Sequence, residues 1–246
     1  MEVISSVSNS KIKDVSKLHQ KKHRDESGLF IVEGLKALEE LISSNIEIEN
    51  IYAKNKIVEN DKLVLCSEPV LKKLSSTDSI PTVITVAKQR LYNISDILNK
   101  NFLVVLDNIK DPGNLGTIIR SAAAFSVDAI ILIGDSVDLY NSKVMRSSAG
   151  NFFRIPILYS DKLNIKAHFS GHKIIATGLY SKTNIDFMQM KNIKKKIIMF
   201  GSEASGLSES LLNEADYNLI IPTNEQVESL NVATAASIVF YENFKN

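Results

Sequence analysis

The 246-residue sequence contains a single cysteine, Cys66, which excludes an internal disulfide framework and a zinc site built on cysteines. It also lacks any apolar run near the roughly 18 residues that a transmembrane helix requires. Residues 1–6 have neither the basic segment nor the apolar segment of a signal peptide. These absences predict a cytoplasmic protein with no membrane segment and no bound metal.

Charge is nearly balanced, with 29 basic and 28 acidic residues, so the net charge of +1 does not indicate a nucleic-acid partner. Its distribution is more informative, because residues 11–24 hold six Lys or Arg and only one acid, Asp14. Such a block is typical of a protein that binds a phosphate backbone, although a solvated helix face has the same composition. The candidate phosphate contacts are Lys11, Lys13, Lys17, Lys21, Lys22 and Arg24.

Short apolar runs alternate with helical patterns along the whole chain, which predicts an α/β protein. A polar stretch at residues 92–101 predicts a boundary between a domain at 1–95 and a domain at 96–246, the second with a mostly parallel sheet. Strands are predicted at residues 28–34, 48–52, 63–66, 83–86, 102–106, 130–134, 173–178, 197–201 and 219–222. Helices are predicted at residues 35–43, 68–74, 115–125, 208–214 and 230–243, and weakly at 189–191. The spacing of Ile12, Val15 and Leu18 predicts a further helix with an apolar stripe and a basic face.

Three polar loops follow predicted strands of the second half, where α/β proteins place their ligand sites. In the first, residues 107–120, a turn at Pro112-Gly113 precedes Asn114, which is expected to cap the next helix. Arg120 lies further along that otherwise small and apolar helix. Its planar fork suits a phosphate or a carboxylate, although a surface arginine with no ligand is the simpler interpretation.

The second loop, residues 200–207, has glycines that allow the backbone to approach a ligand closely. It matches neither a P-loop nor the dinucleotide-binding fingerprint, and a tight turn with Glu203 near a helix start is the alternative. The third loop opens a helix of small residues through Ser229 and Asn231. As ordinary helix-start residues, Ser229 would be the cap and Asn231 a polar residue of the first turn.

The order and spacing of the three loops resemble the three motifs of the SpoU/TrmH family of RNA ribose methyltransferases, in the SPOUT superfamily. The motifs are carried by Arg120, by residues 201–207, and by Ile221-Pro222 together with residues 229–232. The match extends from residue 102 to about residue 243. Residues 30–34, which follow the basic segment, resemble the start of the family's accessory RNA-binding domain. Ser126 departs from the pattern, since many members have glycine there.

The resemblance implies a catalytic domain with a deep trefoil knot, acting as a homodimer. It implies methyl transfer from S-adenosylmethionine to a ribose 2′-hydroxyl of structured RNA, in large-subunit rRNA rather than tRNA. The alternatives are a tRNA ribose 2′-O-methyltransferase and two further classes, namely a non-catalytic RNA-binding or ribosome-assembly factor and a base-nitrogen methyltransferase. The intact motifs disfavour the non-catalytic factor, and the sequence Ser229-Leu230-Asn231 disfavours the base-nitrogen methyltransferase.

The resemblance also assigns residues to roles. Arg120 would clamp an RNA phosphate, stabilise the forming alkoxide and reach the cofactor of the partner subunit; a free guanidinium stays protonated at neutral pH, which disfavours it as the base. Arg146 would contact RNA phosphate or form a structural ion pair. The residues expected to orient Arg120 and the ribose are Asn114, Glu203, Ser229 and Asn231. Those expected to hold the cofactor through their backbone are Thr177, Gly178, Gly201, Ile221 and Leu230.

Overall fold

The computed structural model describes residues 2–224, 226 and 229–245. The chain forms two compact units, one of Met1–Arg90 with Asp138–Phe153 and one of Leu91–Val137 with Arg154–Asn246. The first boundary lies close to the division expected at residue 95. The segment Asp138–Phe153 was expected in the second domain, but it folds with the N-terminal unit.

The first unit is built on a five-stranded sheet of order β1-β4-β3-β5-β2, in which β5 runs antiparallel to both of its neighbours. With elements numbered along the whole chain, its strands are β1 (Glu2–Ile4), β2 (Leu29–Glu33), β3 (Ile48–Ala53), β4 (Leu63–Cys66) and β5 (Val83–Lys88). Its helices are α1 (Ser10–Lys17), α2 (Lys21–Ser27), α3 (Leu35–Ser43), α4 (Glu68–Leu74) and α6 (Ser142–Ser147).

The helix predicted from Ile12, Val15 and Leu18 is confirmed as α1, and the basic segment continues into a second helix, α2. Neither glycine nor proline separates them, so the sequence has no breaker at this point. The reason is tertiary: Leu18 is buried in the core, and His19 Nε2 makes a 2.9 Å hydrogen bond with the carbonyl oxygen of Leu74 at the end of α4. These contacts fix the residues between the helices in a turn.

The second unit contains a seven-stranded sheet of order β10-β12-β9-β11-β6-β7-β8, and every pairing in it is parallel. Its strands are β6 (Phe102–Asp107), β7 (Ala129–Ile133), β8 (Ile157–Ser160), β9 (Lys173–Thr177), β10 (Asn184–Ile185), β11 (Lys196–Phe200) and β12 (Tyr217–Leu219). Its helices are α5 (Pro112–Ala124), α7 (Ile165–His168), α8 (Phe187–Asn192), α9 (Glu209–Glu214) and α10 (Val232–Phe244). The predicted parallel α/β architecture is confirmed, whereas the trefoil knot stays a prediction.

Strand order brings together the ends that carry the polar loops. β11 lies between β6 and β9, and β12 pairs with the other side of β9. The carboxyl ends of these four parallel strands therefore meet at one edge of the sheet. The last predicted strand was wrong in its position, because β12 ends at Leu219 and residues 220–222 already belong to the loop.

Ser126, just after α5, has a φ of 58°, a left-handed conformation that glycine adopts more readily, which explains why glycine suits this position.

Over the ranges that the structure describes, the longest helices, α5 and α10, have 13 residues each, and none is long and apolar enough to cross a bilayer.

Lys196, the first residue of β11, is a buried charge with only 4% of its surface exposed. Its Nζ donates hydrogen bonds to the carbonyl oxygens of Met190 (3.0 Å) and Lys191 (3.3 Å) at the end of α8, and to Asn243 Oδ1 on α10 (2.5 Å). Burial and, to a smaller extent, the charge of Lys191 lower the pKa of Lys196 to about 8. The side chain thus links β11, α8 and α10 while carrying a desolvation cost.

We expect the free energy of unfolding of the wild type, relative to Lys196→Met, to rise as the pH increases from about 8 to 10.5. Across this window the unfolded chain keeps the lysine protonated, at its ordinary pKa of 10.5, while the folded chain loses the proton. The full window corresponds to ~3 kcal/mol. Urea unfolding at both ends of the window measures it. The exposed neighbour provides the control, Lys195→Met, which removes one lysine charge without removing a buried one. A flat difference for Lys196→Met would contradict the expectation.

Candidate active site

The carboxylate of Glu203 joins the three polar loops of the second unit. Asn114 Nδ2 donates to Glu203 Oε1 at 3.1 Å, and Asn231 Nδ2 donates to the same oxygen at 2.5 Å. Asn231 Nδ2 also lies 3.0 Å from Asn114 Oδ1, so the two amides and the carboxylate form a closed triangle. Glu203 Oε2 accepts no hydrogen bond from any residue that the structure describes. One oxygen is therefore fixed, and the other is available to a ligand.

Asn114 reaches Glu203 because it is not the cap of its helix, and the prediction that it caps α5 was wrong. The helix begins at Pro112, whose fixed φ suits the first helical position. Asp111 is the N-cap, and its side chain accepts a hydrogen bond from the backbone N–H of Asn114 at 2.8 Å. With its backbone satisfied in this way, Asn114 has its side chain free for Glu203.

Asn231 both caps a helix and binds Glu203. Its Oδ1 accepts from the backbone N–H groups of Ala233 (3.0 Å) and Thr234 (3.3 Å) at the start of α10, while its Nδ2 points to the carboxylate. The alternative interpretation, in which Ser229 is the cap, is therefore wrong. Ser229 is exposed and makes no hydrogen bond with the described part of the chain.

The loop that carries Glu203 is a tight hairpin. Ser202 and Gly206 exchange two backbone hydrogen bonds, of 3.1 and 2.9 Å. A Cβ atom on Gly201 would lie 2.0 Å from the carbonyl carbon of Gly206, so any side chain there would break the turn. The glycine that sequence reasoning assigned to ligand approach is required first by the loop's own closure.

Two residues that sequence reasoning missed hold the end of this hairpin. Asp107, only 1% exposed at the end of β6, accepts the backbone N–H of Ser208 at 2.7 Å. Tyr180 accepts the backbone N–H of Leu207 on its hydroxyl at 2.9 Å. An acid that ends an apolar strand was a sequence signal for Asp107, whereas nothing in the sequence singles out Tyr180.

The predicted cofactor residues lie at the ends of three neighbouring strands. Thr177 Oγ1 donates to the carbonyl oxygen of Met199 at 2.8 Å, which ties the end of β9 to β11. The N–H of Gly178 donates to the carbonyl oxygen of Leu219 at 3.2 Å, which ties β9 to β12. Gly201 follows β11 directly, and Ile221 and Leu230 are half-buried in the loop after β12.

Apolar side chains are exposed at this same edge. Leu179, directly after Gly178, has 84% of its surface exposed, and Ile220, directly after β12, has 37%. Exposed apolar side chains beside backbone polar groups suit a ligand with a flat apolar face and a polar rim. The edge thus has the chemistry to bind a nucleoside.

Arg120 does not join the triangle around Glu203. It lies on α5 six residues after Asn114, which in an ideal helix is ~9 Å of rise and about 240° of rotation, so the two side chains leave different faces. Arg120 is exposed and has no hydrogen bond or ion pair with a residue in the described ranges. Within the described ranges of its own chain, the guanidinium group of Arg120 therefore has no partner.

The predicted phosphate contacts have different environments. The prediction that Arg24 contacts phosphate is wrong. Arg24 is only 5% exposed, donates a hydrogen bond to the carbonyl oxygen of Leu18 at 2.6 Å and pairs with Asp138, so it is a structural residue of the first unit. Arg146 is exposed, and its Nη1 donates to Ser76 Oγ at 2.6 Å. Four of the lysines form exposed ion pairs, namely Lys11 with Glu2, Lys17 with Asp14, Lys21 with Asp25 and Lys22 with Glu26. Lys13 has no such partner within the described ranges.

Across residues 2–224, 226 and 229–245, no group of three or more His, Cys, Asp or Glu side chains is arranged to hold a metal ion.

The chain matches two family models. The SpoU rRNA Methylase family matches residues 101–241, and the MRM3-like substrate binding domain matches residues 9–96. The chain is 31% identical to the 23S rRNA (guanosine(2553)-2′-O)-methyltransferase RlmP of Bacillus subtilis, covering 98% of each protein. It is 34% identical to an uncharacterised tRNA/rRNA methyltransferase of Synechocystis, over 97% of this chain and 92% of that protein. A crystal structure of an AdoMet-bound rRNA methyltransferase from Sinorhizobium meliloti superposes with a TM-score of 0.88 at 29% identity, covering 98% and 97% of the two chains.

The hydroxyl of Tyr180 holds one end of the Glu203 hairpin through the backbone N–H of Leu207. We expect Tyr180→Phe to speed hydrogen exchange at the Leu207 amide, because a half-buried N–H that loses its acceptor costs about 1–3 kcal/mol. Native-state hydrogen exchange followed by NMR measures this. Tyr241→Phe is the control, since that hydroxyl has no hydrogen bond to the described residues. Unchanged exchange at Leu207 would show that the hydroxyl does not hold the hairpin.

Proposed function

Because the chain belongs to the SpoU rRNA methylase family, it is an RNA methyltransferase, and we propose that it transfers a methyl group from S-adenosylmethionine to a ribose 2′-hydroxyl of 23S ribosomal RNA. The observation that carries this proposal is the Glu203 oxygen held by Asn114 and Asn231 beside the ends of three parallel strands. The B. subtilis relative, which is matched over 98% of its length, is named for ribose methylation of a 23S rRNA guanosine.

The edge formed by Thr177, Gly178 and Gly201 suits S-adenosylmethionine. Exposed Leu179 and Ile220 offer apolar contacts for the adenine ring, and the loop backbone offers donors and acceptors for its polar rim. Ile221 and Leu230 complete the proposed cofactor set on the third loop, and their half-buried side chains leave the backbone to make the polar contacts. When bound, the cofactor supplies an electrophilic methyl group on a sulfonium sulfur.

The residues of the chain orient a weak nucleophile, the ribose hydroxyl. Glu203 Oε1 is fixed by two amides, so Oε2 is set to accept a hydrogen bond from that hydroxyl. Arg120 supplies a permanent positive charge that binds RNA phosphate and stabilises the alkoxide as it forms. Ser229, exposed next to the third loop's cap, adds a hydroxyl donor for the RNA.

The first unit favours ribosomal RNA over transfer RNA as substrate. It carries the match to the MRM3-like substrate binding domain, and the full-length relative in B. subtilis is named for 23S rRNA. The S. meliloti protein of known crystal structure, which matches both units, is likewise called an rRNA methyltransferase. A cytoplasmic location and the absence of a metal remain predictions from the sequence.

A homodimer would place Arg120 in the partner's site. Arg120 faces away from the triangle of its own chain and has no partner among the described residues. At the ends of α5 and α10, Phe125 lies 5.7 Å from Tyr241 and 5.9 Å from Phe244 between ring centroids, and the latter two side chains are half-exposed. Such an exposed aromatic cluster suits a subunit interface.

The proposed activity is tested by methyl transfer from labelled S-adenosylmethionine to total RNA from cells lacking the protein. We expect label on one 23S rRNA nucleotide, with the modified ribose resistant to alkaline cleavage on its 3′ side. Label on tRNA alone would overturn the choice of substrate, and stabilisation by the cofactor without any transfer would favour a non-catalytic RNA-binding factor.

Arg120→Ala is expected to lower kcat by roughly 100-fold or more, the cost of losing a stabiliser of developing negative charge. Because the side chain is exposed and has no partner among the described residues, we expect the variant to keep its fold and its thermal stabilisation by S-adenosylmethionine. Arg120→Lys recovers little, since an ammonium lacks the planar fork. Near-normal turnover by Arg120→Ala would remove the residue from the mechanism.

Mixing two inactive variants tests the shared site. Arg120→Ala and Glu203→Ala are each expected to be inactive alone, whereas a mixed dimer has one site with both residues intact. Co-expression with two different tags, followed by tandem purification, isolates that dimer. We expect about half of the wild-type kcat per dimer if Arg120 acts in trans; an inactive mixed dimer would mean that Arg120 acts in its own chain.

A further inference from the structure

The first unit has a positively charged cleft that combines lysines of the basic segment, residues 11–24, with lysines from a distant part of the sequence. The α1–α4 cleft is lined by Lys13 and Lys17 on α1, by Lys72 and Lys73 on α4, and by the hydroxyls of Ser8 and Ser16. Two apolar residues complete its lining, and no acidic residue in the described ranges contributes to it. Four lysines without an acid form a local field that the net charge of +1 does not reveal.

The cleft stands on a rigid base. Ile12 of α1 packs in one buried cluster with Val70, Leu71 and Leu74 of α4. The hydrogen bond from the His19 ring to the carbonyl oxygen of Leu74 adds a polar link between the same two segments. The lysines on the outer faces of the helices therefore keep a fixed separation, which preorganises them for a ligand.

Two of the four lysines are free to bind an anion, and the other two form exposed ion pairs. Lys13 and Lys73 are exposed and make no hydrogen bond or ion pair with a residue that the structure describes. Lys17 pairs with Asp14 at 2.8 Å and Lys72 with Asp78 at 3.8 Å, and exposed pairs of this kind contribute only about 0–1 kcal/mol each. Lys72 also donates to the carbonyl oxygens of Thr77 and Asp78. Favourable helix dipoles account for lysines in the last turns of α1 and α4, but not for Lys13 in the middle of α1.

We propose that the α1–α4 cleft binds the phosphate backbone of the RNA substrate. Lysine ammonium groups spaced along a groove with few apolar side chains suit phosphodiesters and offer little to a folded protein partner. The inference rests on the proposed function, because it concerns the same RNA. It keeps Lys13 and Lys17 of the predicted block as phosphate contacts and adds Lys72 and Lys73 of α4. Lys11, Lys21 and Lys22 do not line the cleft.

The test uses the full-length protein and an unmodified 23S rRNA transcript. We expect Lys13→Ala/Lys73→Ala to raise the Kd for the transcript about tenfold and to reduce the slope of log K against log salt by about 2, one for each lost phosphate contact. In methyl transfer the KM for RNA rises while kcat is unchanged. Thermal stabilisation by S-adenosylmethionine also stays as in the wild type.

Lys54→Ala/Lys88→Ala is the matched control, because it removes the same charge from exposed ion pairs of the same unit, outside the cleft. Wild-type affinity in the cleft variant, or equal losses in both double variants, would overturn the proposal. A wild type that binds the transcript through the cleft but transfers no methyl group would overturn the proposed function and leave the cleft supported.

Discussion

The candidate site depends on one oxygen atom, Oε1 of Glu203, and on the two amides that donate to it. Asn114 and Asn231 lie 89 and 28 positions from Glu203 in the chain. Hydrogen bonds to a charged acceptor contribute about 1.5–3 kcal/mol each when shielded, and less at an exposed site such as this one. The triangle is therefore too weak to assemble the loops by itself. It exists because the parallel strands place the loops side by side, and it then fixes the orientation of the carboxylate.

The surrounding residues satisfy backbone groups so that site side chains stay free. Asp111 caps α5 and leaves the amide of Asn114 available, and Asn231 uses its oxygen for α10 and its nitrogen for Glu203. Asp107 and Tyr180 act at the other end of the hairpin, on the N–H groups of Ser208 and Leu207. A carboxylate at the tip of a loop keeps one position only when both ends of that loop are held. Arg120, in contrast, makes no hydrogen bond or ion pair with the residues that the structure describes.

Much of this arrangement could be predicted from the sequence. The apolar runs of the sequence correctly predicted β6, β7, β9 and β11, because a strand that is buried on both faces is apolar at nearly every position. The positions of caps could not be predicted, because Asp111, Asn114, Ser229 and Asn231 are all good capping residues and only the geometry decides among them. Short edge strands such as β10, with two residues, carry too little pattern to detect.

Charge was the least predictable property, and the reason is spatial. A run such as residues 11–24 has one composition but several environments: Arg24 turns inward to Asp138, which is 114 positions away, while Lys13 stays in solvent. Lysines of α4 reach the same surface as those of α1 only after the two helices pack on a common core. Acidic residues elsewhere pair with other lysines, such as Lys11, Lys21 and Lys22, and the net charge of the whole chain is only +1. A nearly neutral chain can therefore present a strongly positive cleft, because phosphate senses charge within about a Debye length, ~10 Å at 0.1 M salt, and not the sum over the molecule.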